Sequence, residues 1–413
     1  MMQRRVVLTA AGTTFLVAVA RCPSERAPWA ATAAGGSGQV ADPPAPLREV
    51  AVTTGQALAK ALQEARPGDH IVLADGSYDG AFTLVASGKQ DAPIVLRAQN
   101  QHGATLTDSL SLEGERGWVH GLVLSGDGRN PRDAPLRLGG DHATVTRSLF
   151  TGRRGVVLTS QQYYRIGYNK FTGAPQPGLG SGPKARFDHI FIDIDSGVEA
   201  RLPEHGQIYR NLFLDSDASD SESHVIYVGP SGGHPRTPSL TDLVIEYNYI
   251  DTRRRRSIYT KRAGIIRHNH IVMTRGAFGI RHGVGGKMHG NRVVGCRDAI
   301  VNGPDHDIRG NDIQAAARLQ LMAECLNAGG GRYNAADRAL LVGNRGDLIV
   351  GDTRNGGEMR RPVRGVRVYG QLGDVELGAE EDTIVAAAEA SLWCPEPVTL
   401  APSEVGPDAA RAA

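Results

Sequence analysis

Cysteine is scarce in this chain of 413 residues: there are four, and one of them, Cys22, falls in the N-terminal segment. No C-x-x-C occurs, which removes a structural zinc site of the usual spacing. Cys296, Cys325 and Cys394 allow one disulfide at most. Aromatic residues make up only 5% of the chain against 52 glycines, a balance that implies many turns and closely approaching backbone. A net charge of +2 excludes nucleic-acid binding through a bulk positive field, so any such field must be local. Past the N-terminus no apolar run approaches the roughly 20 residues that cross a bilayer, and no membrane partner is expected.

The first residues, MMQRRVVLTAAGTTFLVAVA, pair Arg4 and Arg5 before an apolar stretch, with small residues around Ala31 and Ala33. This reads as a twin-arginine-like export signal over 1–33, removed from a soluble product sent to the periplasm or beyond. Residues 34–46 are rich in Gly, Pro and Ala and read as a linker. One domain is expected over 47–405, with 406–413 as a tail.

That domain opens with a helix. Thr53 and Thr54 offer caps, Ala57, Leu58, Ala61, Leu62 and Ala65 form one apolar face, and Pro67-Gly68 ends it. Short apolar strands punctuated by Gly, Asn and Asp follow, with nothing helical until the region of Ala315. Within them an asparagine recurs two places before an apolar residue: Asn169, Asn211, Asn248, Asn269, Asn291 and Asn311. The later gaps are 21, 22 and 20 residues, and the gap of 42 between Asn169 and Asn211 reads as two such periods. A period near 20 built from short strands predicts an all-β fold, a parallel β-helix of about ten coils with stacked inward asparagines and a helical cap on its first coil.

Stacked coils lie about 4.8 Å apart, so Lys261 and Arg281, one period apart, become neighbours. Arg253 to Arg256 add charge just upstream. Glycoside hydrolysis needs two carboxylates, and none stands near this pair in sequence; the carboxylates collect in Asp193 and Asp195 and from Asp215 to Glu222. A lysine and an arginine suit β-elimination on a uronate instead. A cation holds the sugar carboxylate while charge moves onto it, and a lysine flanked by cations, which disfavour its ammonium form, takes the C5 proton.

The run ARPGDHIVLADGSYDGAFTLVASGKQDAPIVLRAQ, the following GLVLSG, and Lys261 with Arg281-His282-Gly283 resemble polysaccharide lyase family 6, the alginate lyases and chondroitinase B. The likeness spans about Val50 to Gln314, and APSEVGP is similar to the family's ends. It implies a right-handed parallel β-helix, Lys261 as Brønsted base, Arg281 as acid, and an anionic polysaccharide as partner. Calcium-using members carry acidic residues seven and five places before the lysine and another ligand upstream. Here those positions hold Arg254 and Arg256, with the upstream one near Ser221, so no metal and no cofactor is expected, and the arginines bind substrate in its place. His282, His224 and Tyr227, the last standing where the family has an arginine, complete the expected substrate contacts. A non-catalytic carbohydrate-binding β-helix and a uronan C5-epimerase stay open as alternatives, the latter because of Pro304-Asp305-His306-Asp307.

Overall fold

In the computed structural model, described residues run from 42 to 409 apart from 127–133, 153, 160, 174–187, 194–204, 216–222, 230–242, 255, 262–263, 274–275, 282, 315–317, 327–331, 354–357 and 388–391. Two further strands, Val6–Ala10 and Thr13–Val17, pair antiparallel within the expected export segment, the rest of which lies outside the described residues. The fold is a right-handed parallel β-helix. Among the described residues no helix is long and apolar enough to cross a membrane. The chain divides into two compact units, one centred on residues 38–230 with 242–256 and 400–413, the other on 257–399.

In the first unit three parallel sheets repeat coil after coil. The first sheet stacks Arg48–Val52, Asp69–Leu73, Ile94–Ala98, Gly117–His120, Thr144–Thr146, Arg165–Gly167, Gln207–Tyr209 and Val244–Glu246. The second runs from Gly76–Tyr78 to Tyr249–Thr252, and the third from Phe82–Leu84 to His224–Val228. Alternate residues face the interior, which is why Leu110 and Leu112, Leu136 and Leu138, and Ile190 and Ile192 are wholly buried in one row. The helix Gly55–Gln63 closes the open end as expected. Thr54 caps it by accepting from the Ala57 amide at 3.1 Å, and Leu58, Ala61 and Leu62 pack on the first strands.

The corner between the first and second sheets takes two residues. One adopts left-handed backbone, and the next is an asparagine or, in one coil, a serine. Arg147, Tyr168, Arg210 and Tyr247 have φ near 50–54°, and each precedes Ser148, Asn169, Asn211 or Asn248. The Asn169 amide and side chain donate to Asn211 Oδ1 at 3.0 and 3.1 Å, and Asn211 makes the same pair of bonds to Asn248 at 3.0 Å each. Asn169 and Asn211 are thus in adjacent coils: Phe171 pairs with Phe213 directly, so the 42-residue gap is one coil with a long excursion and not two periods. Two residues after the ladder, Phe150, Phe171 and Phe213 stack face to face inside, at 4.5 and 4.7 Å.

The second unit repeats the plan. Its first sheet runs from Ile265–Arg267 to Ile384–Ala386, and Asn269, Asn291, Asn311 and Asn344 form its ladder. His268 and then Gly290, Gly310 and Gly343 supply the left-handed residue before each. A Cβ on Gly310 would stand 1.8 Å from the Pro395 carbonyl oxygen, so glycine is required there. The coils continue beyond Gln314, and the region past Ala315 forms strand Leu319–Met322 rather than helix, because its alternating apolar residues feed the same interior row. With eight strands of the first sheet in one unit and six in the other, the described coils exceed ten. Cys296, Cys325 and Cys394 are free thiols.

The described part of the segment set apart as a tail, residues 406–409, is packed. Val405, Gly406, Pro407 and Ala409 are buried; the Gly406 amide donates to Arg210 O at 2.8 Å, and Arg147 Nη1 donates to Pro407 O at 2.7 Å. Ala409 joins Tyr168 and Tyr209 in a small apolar cluster. A domain boundary at 405 therefore falls inside a bound strap.

Substituting Asn291→Ala removes the acceptor of the Asn269 amide and side chain and the donor to Ile266 O and Asn311 Oδ1. Leaving these buried groups unpaired should cost about 3 kcal/mol, read as a lowered urea midpoint; a midpoint like the parent's would mean that the ladder is not a stabilising element.

Candidate functional site

In the second unit, strand Arg256–Thr260 pairs with Ala277–Ile280 so that Tyr259 faces Gly279 and Thr260 faces Ile280. The Arg281 amide donates to Thr260 O at 2.6 Å, which carries the register one residue further. Lys261 and Arg281 follow their strands directly, and this register sets them side by side, both half-buried. The inward residues Ile258, Phe278 and Ile280 are fully buried and fix which way the strands face. Tyr259 is 3% exposed and accepts a hydrogen bond from Arg281 Nη1, whose guanidinium lies 5.6 Å from the ring centre. A Cβ on Gly279 would strike the Ile300 carbonyl oxygen at 2.1 Å, so the position opposite Tyr259 admits no side chain. His282 lies outside the described residues.

In the first unit the four arginines separate. Arg253 is exposed, Arg255 is outside the described residues, and Arg256 is half-buried. Arg254 precedes the strand and is fully buried, with Nη2 donating to Gly173 O at 2.7 Å and its amide bonded to Thr252 Oγ1 at 3.3 Å. The expectation that both Arg254 and Arg256 bind substrate fails for Arg254, which lies before the strand that begins at Arg256 and turns inward. Arg254 braces backbone from inside and offers no surface to a ligand.

Arg256 ends a buried polar column. Its Nη1 lies 3.1 Å from His224 Nε2, and His224 Nδ1 lies 2.8 Å from Asp188 Oδ1, which also accepts the His224 amide at 2.8 Å. The carboxylate fixes the imidazole proton on Nδ1 and leaves Nε2 to accept from the guanidinium. One cation and one anion then bracket a neutral ring. His224 and Tyr227 are each 1% exposed, and Tyr227 packs on His224 and Phe191 with ring centres 4.6 and 5.5 Å away. Neither lies open to a ligand, because each packs against the coil below. Asp188 escaped the sequence reading: it stands 36 residues from His224, a coil length that no regular period announces.

Arg254 and Arg256 present guanidinium donors here, and a donor cannot ligate a divalent cation. Among the described residues no three His, Cys, Asp or Glu side chains converge as metal ligands would. Asp195, Asp217, Asp220, Ser221 and Glu222 lie outside the described residues. The Pro304–Asp307 segment is a turn: Asp305 has φ 64°, and His306 is buried, accepting from the Gly286 amide at Nδ1 and donating from Nε2 to Asn302 O, each at 3.0 Å. Burial holds the His306 ring below its usual pKa and neutral.

A family model described as Chondroitinase B matches residues 52–146. The solved structures similar in fold include a family 6 alginate lyase in complex with a trisaccharide, at 17% identity with 83% of this chain and 84% of that one covered and a TM-score of 0.62. A mannuronic-acid-specific family 6 lyase from the human gut microbiota aligns at 17% identity, covering 80% and 83%, with a TM-score of 0.57. A family 6 polysaccharide lyase from Pseudopedobacter saltans aligns at 15%, covering 87% and 99%, with a TM-score of 0.60. No curated protein matches the chain by sequence. The architecture is similar to that of these family 6 lyases.

Asp188→Asn keeps the size of the side chain and removes the anion of the column. The charge-assisted bonds to the His224 amide and ring are then weakened, and stability should fall by about 2 kcal/mol, measured by urea denaturation. A loss below about 0.5 kcal/mol, the scale of an ordinary surface change, would show that the column carries no net stabilisation.

Proposed function

We propose that the chain is an exported polysaccharide lyase that cuts a uronate polymer, alginate first, by β-elimination. The observation that supports this most is the register that sets Lys261 beside Arg281 in a fold built like the family 6 lyases. The trisaccharide bound to one structural relative and the mannuronate specificity of another agree with a uronate substrate.

Lys261 takes the proton at C5 of the sugar. The C5–H electron pair becomes the C4–C5 double bond, the C4–O bond breaks, and the departing oxygen receives a proton. Arg281 is the acid partner: it donates hydrogen bonds to the departing oxygen, and a water molecule supplies the proton that oxygen takes up. Its bond to Tyr259 holds the guanidinium in one orientation. Charge on the substrate carboxylate is met by guanidinium rather than by calcium. Of the two arginines at the ligand positions, Arg256 keeps part of its side chain at the surface and takes that role, whereas Arg254 does not.

With alginate as substrate, Lys261→Ala should lower formation of the unsaturated, ultraviolet-absorbing product by about a thousandfold and leave the circular dichroism unchanged. Near-normal turnover would place the base elsewhere, with Tyr259 and His282 the next to test. Binding without any chromophore, in the parent chain, would favour the non-catalytic reading, and a changed uronate composition without chain scission would favour the epimerase.

Activity should survive an excess of chelator, and Arg256→Ala should raise KM and lower kcat together. Loss of parent activity in chelator, recovered with calcium, overturns the metal-free reading and directs attention to Asp215, Asp217, Asp220 and Glu222.

A further inference from the structure

The first unit carries a cleft of about 530 Å³ that shares no residue with the Lys261 pair. Its floor is the outward face of the first sheet, where Trp118, Thr144, Arg165 and Gln207 stand in one register row across four successive coils. One wall is an aromatic column, His142, Tyr163 and His205, one from each of three coils. The rings stack at 4.7 and 4.4 Å, within 6° and 10° of parallel. Each of the three adopts left-handed backbone, φ 54–58°, two residues before its strand, which turns the ring outward along the corner. The rim adds Lys89 and Arg116.

The charge is one-sided. Lys89, Arg116 and Arg165 are cationic, and no carboxylate is among the described lining residues. Asp141 and Glu115, which act on His142 from outside the cleft, do not line it. Burial, and then Arg116, push the His142 ring below its usual pKa, so it stacks on Tyr163 as a neutral ring. Arg116 and Arg165 are two coils apart, about 10 Å along the axis at the ordinary strand spacing. Repeated anionic groups on a linear polymer can meet both, while Thr144, Gln207 and Trp118 offer hydrogen-bonding and apolar contact to the rings between.

We propose that this cleft is a second, non-catalytic binding site for a uronate-bearing saccharide chain. The choice of uronate rests on the lyase reading; the site itself rests on the cleft. It would hold polymer on the enzyme between cuts.

The test uses the full chain carrying Lys261→Ala, so that binding is read without turnover, with long alginate as probe and dextran as the neutral control. Trp118 fluorescence should change on addition of alginate and not of dextran, and Trp118→Phe should abolish that change. Arg116→Gln with Arg165→Gln, both side chains at the surface, should weaken binding at least tenfold. In the active enzyme the same pair should raise KM for long alginate and leave kcat/KM for a uronate tetrasaccharide unchanged. Alginate binding that is unaltered by the paired substitution, or a Trp118 signal that does not respond, overturns the proposal. Absence of any unsaturated product from the parent, with the Trp118 response intact, overturns the lyase reading and leaves the site standing.

Discussion

Everything in this molecule hangs on how each coil turns its corner. The chain must pass from the first sheet to the second in two residues, inside the solenoid, with the amide of the turning residue shut away from water. A buried amide without a partner costs about as much as a lost hydrogen bond. The asparagine of the next coil meets that need with its side-chain oxygen, and its own amide is met by the one after. Satisfaction of one coil is therefore conditional on the next, and the coils hold a common register because the acceptor sits at one height only.

That register is what turns sequence distance into chemistry. Lys261 and Arg281 come from separate coils, yet the Tyr259–Gly279 and Thr260–Ile280 pairs leave them no other arrangement. In the first unit the same stacking aligns Asp188, His224 and Arg256 without any local motif. A solenoid builds sites by superposition, one residue per layer. Insertions between layers change loops without disturbing the column, as the 42 residues between Asn169 and Asn211 show.

The asparagine period, the helical cap and the Lys261–Arg281 neighbourhood were legible in the sequence because each depends on spacing and on side-chain type. Asn344 was not: Gly346 follows it where Phe171 or Ile271 stands in other coils, so the pattern of asparagine then apolar residue breaks. The long coils hid in the same way, since 42 and 37 residues between stacked asparagines resemble two periods or none. Arg254 was misread for a different reason. Alternation predicts facing only within a strand, and the strand starts two residues later, so parity carried no information there. Burial of His224 and Tyr227 depends on Asp188 and Phe191, partners a whole coil away that no local pattern names.

The strap over the corner of the first unit has a consequence in time. Neighbouring coils join residues a few dozen apart, so they can stack as the chain is made. The bond from Arg147 to Pro407 joins residues 260 apart, and that from Arg210 to Glu404 joins residues 194 apart. Closing such loops is slow compared with adding a coil. The corner at Arg147 therefore stays bare until residues 405–409 have been synthesised and have swung back. Residues 405–409 seal a corner made 260 residues before them.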